Sequence, residues 1–392
     1  MDPVRNPFAP GAGSPPPELV GRDDLLESFR IAGARLQIGR SVKSTLMVGL
    51  RGVGKTVLLD RMRELGEEER LHCVRIEAPE GRSLPAILAP QLRVALLRLS
   101  LHERARQSAT RALSALSGFV RGLKFRYADI EVAVDHEPTP GVADSGDLES
   151  DLQDLLDAVG QAASDAQSGV VLFVDELQYV AENELAALIV ALHRASQRRL
   201  PVMLVGAGLP QLRGHMGRAK SYAERLFEFP AIGPLEPVDA RRALVAPTDE
   251  EGVRWSEAAL DVVLATTHGY PYFLQEWGKH AWDVATGPDE IVKRDVVAAS
   301  ALALAALDAS FFRVRFDRLA PSEKTYLRAM ASLGPGPHRS GDIADGLARD
   351  VRSLAPTRAK LIDKGMVYSP SHGDTDFTVP LFDAFMRRIM PD

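Results

Sequence analysis

Eight residues, Gly49-Leu50-Arg51-Gly52-Val53-Gly54-Lys55-Thr56, satisfy the pattern G-x-x-x-x-G-K-[ST] without a mismatch. The chemistry this spacing offers is the binding of a polyphosphate. Glycines let the backbone turn tightly and aim successive N–H groups inward, so that phosphate oxygens sit in a nest of donors at the positive end of the following helix. Lys55 is expected to reach the terminal phosphates, and the Thr56 hydroxyl to enter the coordination shell of Mg2+. Nucleotide contacts are expected from Gly49, Gly52, Val53, Gly54, Lys55, Thr56 and Val57. A second group, Asp175-Glu176, closes the apolar run Gly169-Val170-Val171-Leu172-Phe173-Val174. Asp175 would hold the metal, largely through water, and Glu176 would polarise a water for attack on the terminal phosphate. An apolar strand ending in two acids is a weak signal alone, and gains weight from the loop upstream. Together the two groups call for ATP and Mg2+ as ligands and for hydrolysis of ATP to ADP and phosphate.

The surrounding pattern supplies the elements that must position these residues. Leu46-Met47-Val48 reads as a buried strand entering the loop, and Val57, Leu58, Leu59, Met62 and Leu65 have the spacing of a helix leaving it. Leu71 to Glu77 alternates as a second strand, which places the single cysteine, Cys73, as a small core residue rather than a reactive thiol. Ser83 to about Leu123 is mostly helical, and Lys124 to Val134 alternates at period two, as an extra strand or hairpin would. Asp135 to Asp147 is an acidic loop. A continuous apolar strand at 169–176 is what a parallel sheet covered on both faces requires. Helix Glu184 to Arg198, strand Leu200 to Gly206 and a fifth strand immediately after Arg225, in the segment Tyr222 to Phe229, complete an α/β core. From Glu236 onward the pattern is of helices alone, at Val238–Val245, Ser256–Thr267, Tyr272–Thr286 and Asp295–Phe312.

Composition bounds the class. The chain has 392 residues, 45% of them hydrophobic, with 47 Lys and Arg against 53 Asp and Glu for a formal net charge of −6. That describes a globular protein of two or three domains and excludes a uniformly basic nucleic-acid coat. One cysteine excludes an internal disulfide framework, no signal peptide is evident, and no apolar run is read as long enough to span a bilayer. A cytoplasmic protein without a membrane partner is the expectation. Residues 1–18, rich in Pro, Gly and Ala, are taken as a flexible segment, or as a strap laid over another element.

The segment Glu18-Leu19-Val20-Gly21-Arg22-Asp23-Asp24-Leu25-Leu26 resembles the opening of AAA-type P-loop ATPases of the origin-recognition and archaeal-ATPase (STAND-like) kind. In those relatives it lies against adenine, which implicates Leu19, Val20 and Arg22. The resemblance implies a parallel-sheet P-loop NTPase core of the additional-strand class at 19–235, a helical lid at 236–312 and a C-terminal winged-helix domain at 313–392. Within it, Gly269-Tyr270-Pro271 is similar to a lid segment that packs on adenine through Pro271, although a proline between helices is also an ordinary stop signal. An arginine near the fifth strand reaches a terminal phosphate in such ATPases, from the same or a neighbouring subunit. Arg225 is the candidate, with Arg218 second, and the alternative is a surface arginine paired with Glu224 or Glu228. Relatives carry a polar residue near the end of the fourth strand, where this chain has Gly206-Ala207-Gly208. That departure points to slow turnover, and Gln178 is a candidate substitute. In the winged helix, Arg352, Arg358, Lys360 and Lys364 are candidate contacts to double-stranded DNA. Near-equal numbers of acids and bases there leave protein contact open. The reading is an ATP-driven switch controlling DNA engagement. The alternative is a regulatory scaffold with slow hydrolysis, nucleotide-dependent homo-oligomerisation and protein partners.

Overall fold

The computed structural model describes residues 1–11, 13–78, 81–123 and 136–391; the extra strand expected at 124–134 lies outside the described residues. The chain divides into two compact units, Arg22–Val48 with Lys55–Ala231, and Met1–Gly21 with Gly49–Gly54 and Ile232–Asp392.

The first unit is a parallel α/β layer. Helix α1 (Asp23–Gln37) leads to β1 (Ser44–Val48), and α2 (Lys55–Glu68) to β2 (His72–Glu77). Helices α3 (Leu84–Ser100) and α4 (Arg106–Leu123) break the long helical stretch at Leu101-His102, and α5 (Leu148–Asp165) feeds β3 (Val170–Asp175). Then come α6 (Glu182–Gln197), β4 (Val202–Gly208), α7 (Leu212–Ala219), α8 (Ala223–Leu226) and β5 (Phe227–Glu228). The sheet order is β2-β3-β4-β1-β5, all neighbours parallel, so β4 separates the loop-bearing strand β1 from the acidic strand β3. Every residue of β3 and β4 is buried, as expected of central strands with helices on both faces. Helix starts are capped locally: Ser83 accepts from Ala86 N at 3.3 Å and Asp147 from Ser150 N at 2.9 Å. Cys73 is half-buried, and burial pushes its thiol up to about 12, which keeps it unreactive.

The second unit opens with residues 1–21. Of the two readings of residues 1–18, loose segment or strap, the described residues take the strap. The Phe8 ring is buried over Gly278, the Asn6 amide donates to Lys279 O at 3.0 Å, and Trp282 Nε1 donates to Asp2 O at 2.8 Å. A buried aromatic and these backbone acceptors offset the ordering entropy that composition alone leaves unopposed. The unit's helices are α9 (Pro237–Glu250), α10 (Glu257–Thr267), α11 (Pro271–Val284), against which the strap is bonded, and α12 (Lys293–Leu307), and a short parallel pair, β6 (Arg254–Trp255) and β7 (Glu290–Ile291), corrects the all-helical expectation. Two residues per strand give too little periodicity to read in sequence.

Helix α12 runs through a π turn (Asp308–Phe312) into α13 (Arg313–Asp317), so the expected boundary at 312/313 falls inside one helical stretch. This stretch, Lys293–Asp317, is long and apolar enough by length and composition to cross a membrane, contrary to expectation. Val296, Ala299, Ala303, Leu307 and Phe312 are buried in the unit's own core, which accounts for the apolar content on that face. Beyond it lie α14 (Pro321–Ser332), β8 (His338–Arg339), α15 (Ser340–Gly346), α16 (Val351–Asp363), β9 (Val367–Tyr368), β10 (Asp374–Phe377) and α17 (Phe382–Ile389). The small sheet is antiparallel with order β8-β10-β9. Phe312 contacts Phe382 and Phe385 with ring centroids 5.9 and 5.2 Å apart, so the last helix and the π turn share one aromatic core.

Candidate nucleotide site

In the α/β unit, Lys55 and Thr56 open α2, and Asp175 ends β3. The Thr56 hydroxyl is hydrogen-bonded to the Asp175 carboxylate. A hydroxyl and a carboxylate side by side are the hard oxygen donors that Mg2+ takes, so these residues fit the metal the loop calls for. Asp175 is 3% exposed, and burial raises its carboxyl above the usual range. The neighbouring Glu176 charge adds to this, while the Thr56 hydroxyl, Arg75 and the Glu176 N–H work against it. Sequence reasoning missed Arg75. It lies on β2, donates from Nη2 to Asp175 Oδ2 at 3.3 Å and from Nε to Asp60 Oδ1 at 2.8 Å, and its sequence signal is a cation set between Val74 and Ile76.

Glu176 follows at φ 53° and ψ 36°, a left-handed conformation that costs a non-glycine residue roughly 1–2 kcal/mol. Strain of this kind at a strand end marks a side chain whose aim matters. Its carboxylate accepts from Gln178 Nε2, and Gln178 Oε1 accepts from Leu209 N at 3.0 Å. Gln178 therefore spans from the acid to the end of β4, where the expected polar residue is missing. The glycines there have a packing cause. A Cβ at Gly206 would collide with Leu177 and stand 2.6 Å from Leu46 Cδ2, and one at Gly208 would stand 2.8 Å from Gln178 Oε1.

In the other unit, the phosphate loop proper, Gly49–Gly54, has left-handed glycines at Gly52 (φ 82°) and Gly54 (φ 87°), with Val53 buried beneath. A Cβ at Gly49 would collide with the Ile232 carbonyl, so glycine is needed there for close approach. The loop is bonded to both downstream elements of its unit. Tyr272 N, in the first turn of α11, donates to Gly52 O at 3.2 Å, and Arg51 N donates to Thr378 O at 3.0 Å. Tyr272 stacks on Phe311 of the π turn at 4.8 Å. Thr378 is held in turn by its own N–H on Met366 O at 3.0 Å. Pro271 is the first residue of α11, and Gly269 (φ 72°) lets the chain pass against Leu235, whose N–H donates to Gly269 O at 2.8 Å. Leu19 is half-buried and Val20 buried in this unit's core, whereas Arg22 belongs to the α/β unit as the residue before α1.

The outlying candidates are placed unequally. Arg225 is exposed on α8, and among the described residues neither Glu224 nor Glu228 pairs with it. Arg218 lies 3.6 Å from Glu182. Arg352 and Lys360 are exposed on α16. Arg358 donates from Nε to Thr375 Oγ1 at 2.7 Å, from Nη2 to Asp374 O at 2.8 Å and to Ser369 Oγ; Lys364 donates to Glu323 Oε2 at 2.7 Å and Arg318 O at 3.1 Å. These two hold the hairpin and the start of α14. Cations in a helical register look alike in sequence whether they face solvent or a neighbouring strand.

A parallel sheet with β4 between the loop strand and the acidic strand is the α/β P-loop NTPase fold. Residues 18–205 match the model of the AAA ATPase domain family, and residues 309–386 match a domain of unknown function (DUF8462). The chain is similar in structure to the Walker-type ATPase PABY2304 of Pyrococcus abyssi, at 15% identity and a TM-score of 0.58 over 94% of this chain and 96% of that one. The Aeropyrum pernix Orc1 protein, solved in complex with DNA, matches at 15% identity and a TM-score of 0.47 over 98% and 96%. The Thermotoga maritima RuvB Holliday junction branch migration motor matches at 14% and 0.44 over 93% and 94%. No curated protein matches the sequence.

Proposed function

We propose that this chain is an ATP-dependent switch: an AAA-type core at 19–235 binds and slowly hydrolyses ATP, and a lid at 236–312 and a winged helix at 313–392 read the state of the phosphate loop. The observation that carries this reading is the pair of backbone bonds from the loop, Gly52 to Tyr272 and Arg51 to Thr378. A loop that must wrap phosphates cannot change its shape without straining or releasing both. In this reading the loop backbone and Lys55 hold the phosphates, with Val57 in the first turn of α2 beside them. Thr56 and Asp175 hold Mg2+, which when bound neutralises phosphate charge. Glu176 takes the proton of the attacking water, and Gln178 aims Glu176 and ties it to the end of β4. Leu19, Val20, Arg22 and Pro271 frame the adenine. Arg225, exposed and unpaired by its acidic neighbours, is available to a neighbouring subunit. A cytoplasmic protein fits the lone, half-buried cysteine.

The output we assign is engagement of double-stranded DNA through Arg352 and Lys360 on α16. The scaffold reading, with protein partners and nucleotide-dependent self-assembly, is favoured by one observation: Arg358 and Lys364 are used inside the fold. Duplex DNA titrated at several salt concentrations, with ADP or an ATP analogue present, separates the two. The DNA reading expects log K to fall with log salt, and the slope to shrink by about two phosphate contacts in Arg352→Ala/Lys360→Ala. No detectable DNA binding, together with a mass that changes with nucleotide, establishes the scaffold instead.

A further inference from the structure

We propose that Arg75 is a positioning residue for the metal end of this site, tying Asp175 to Asp60 and so fixing Asp175 against the Thr56 hydroxyl. The inference rests on the reading of Thr56 and Asp175 as the Mg2+ pair. The guanidinium is used in three directions: Nη2 to Asp175 Oδ2 at 3.3 Å, Nε to Asp60 Oδ1 at 2.8 Å, and Nη1 to Ile76 O at 2.7 Å. A planar, rigid fork with three fixed acceptors cannot swing, so it behaves as a brace rather than as a loose counter-charge. Its partners lie on three elements, β2, β3 and α2. Asp60 is four residues after Thr56 on α2, one turn along the same helix face. Holding Asp60 therefore sets the height of α2 against β3, and with it the distance from the Thr56 hydroxyl to the Asp175 carboxylate.

Burial makes the brace consequential. The Asp175 side chain is 5% exposed, against 24% for Arg75 and 35% for Asp60. Without Arg75, the Asp175 carboxylate keeps, among the described residues, the Thr56 hydroxyl and the Glu176 N–H, at 2.9 Å, to orient it. Groups that orient a metal-binding carboxylate from behind are worth about 10–100-fold in metal affinity.

The test uses the full chain and a fluorescent ATP analogue, titrated in EDTA and then against Mg2+. Arg75→Met is expected to raise the Mg2+ midpoint about 10–100-fold, while affinity for the analogue in EDTA stays within about twofold of wild type. Arg75→Lys recovers only part of the loss, because one ammonium replaces three directed donors. Asp60→Asn, a milder change at a more exposed position, shifts the midpoint the same way by less, and adds little in the Arg75→Met background because both act through one brace. It also carries the test if Arg75→Met fails to fold. An unchanged midpoint in these variants, or an equal loss with and without Mg2+, overturns the role of Arg75 alone. A wild-type protein that binds the analogue no better with Mg2+ than in EDTA overturns the reading of the pair, and this inference with it.

Discussion

Glu176→Gln is expected to lower ATP turnover by about 10²–10⁴-fold, the usual contribution of a positioned general base, while leaving ATP affinity within a few-fold of wild type. The substitution keeps the shape of the side chain and its ability to accept from Gln178 Nε2, so the bridge to Leu209 N survives. What it removes is the carboxylate's capacity to take a proton from water. The backbone is already committed, since Glu176 holds its left-handed conformation at the end of a fully buried strand. Single-turnover hydrolysis alongside equilibrium binding of ATP checks this: reduced binding with unchanged turnover of the bound fraction would assign Glu176 to the ligand cradle rather than to chemistry.

Lys55→Ala is expected to weaken binding of ATP by about 30- to 150-fold, the equivalent of about 2–3 kcal/mol for a lost charge-assisted hydrogen bond to phosphate. The fold should persist. Lys55 is half-buried in the first turn of α2, a position where alanine is a better helix former, and its side chain is not part of either hydrophobic core. Thermal unfolding without nucleotide should therefore match wild type, and the stabilisation that added ATP gives should be lost. ATP-induced stabilisation of undiminished size in Lys55→Ala would place the nucleotide elsewhere.

The phosphate loop and the acidic strand were legible because each is written in contiguous residues whose types the chemistry restricts. Gly52 and Gly54 need left-handed backbone, and Gly49 leaves no room for a Cβ beside Ile232. The central place of β3 also followed, since an uninterrupted apolar run such as 170–174 has to be covered on both faces. Arg75 was not legible, because its partners Asp60 and Asp175 are fifteen and one hundred residues away and only folding brings them together. The strap had the composition of a loose tail, yet Phe8 packed over Gly278 of α11 and the hydrogen bonds of Asn6 and Trp282 seat it. The Gly206 departure reads differently in three dimensions: the space is taken by Leu177 and Leu46, and the polar group bonded at that strand end is Gln178, two residues past Glu176. Arg358 and Lys364 look like free cations on a helix until the antiparallel pair β9–β10 and the start of α14 supply their acceptors.

Amide hydrogen exchange on the Glu176→Gln protein, with ADP and then with ATP in Mg2+, addresses the switch most directly. If Tyr272 and Thr378 read the loop, protection in the segments around 270–275 and 366–381 differs between the ADP and ATP forms, in step with residues 49–57. Exchange that changes only within 49–57 and around Asp175, and is identical elsewhere in the two nucleotide states, would contradict it.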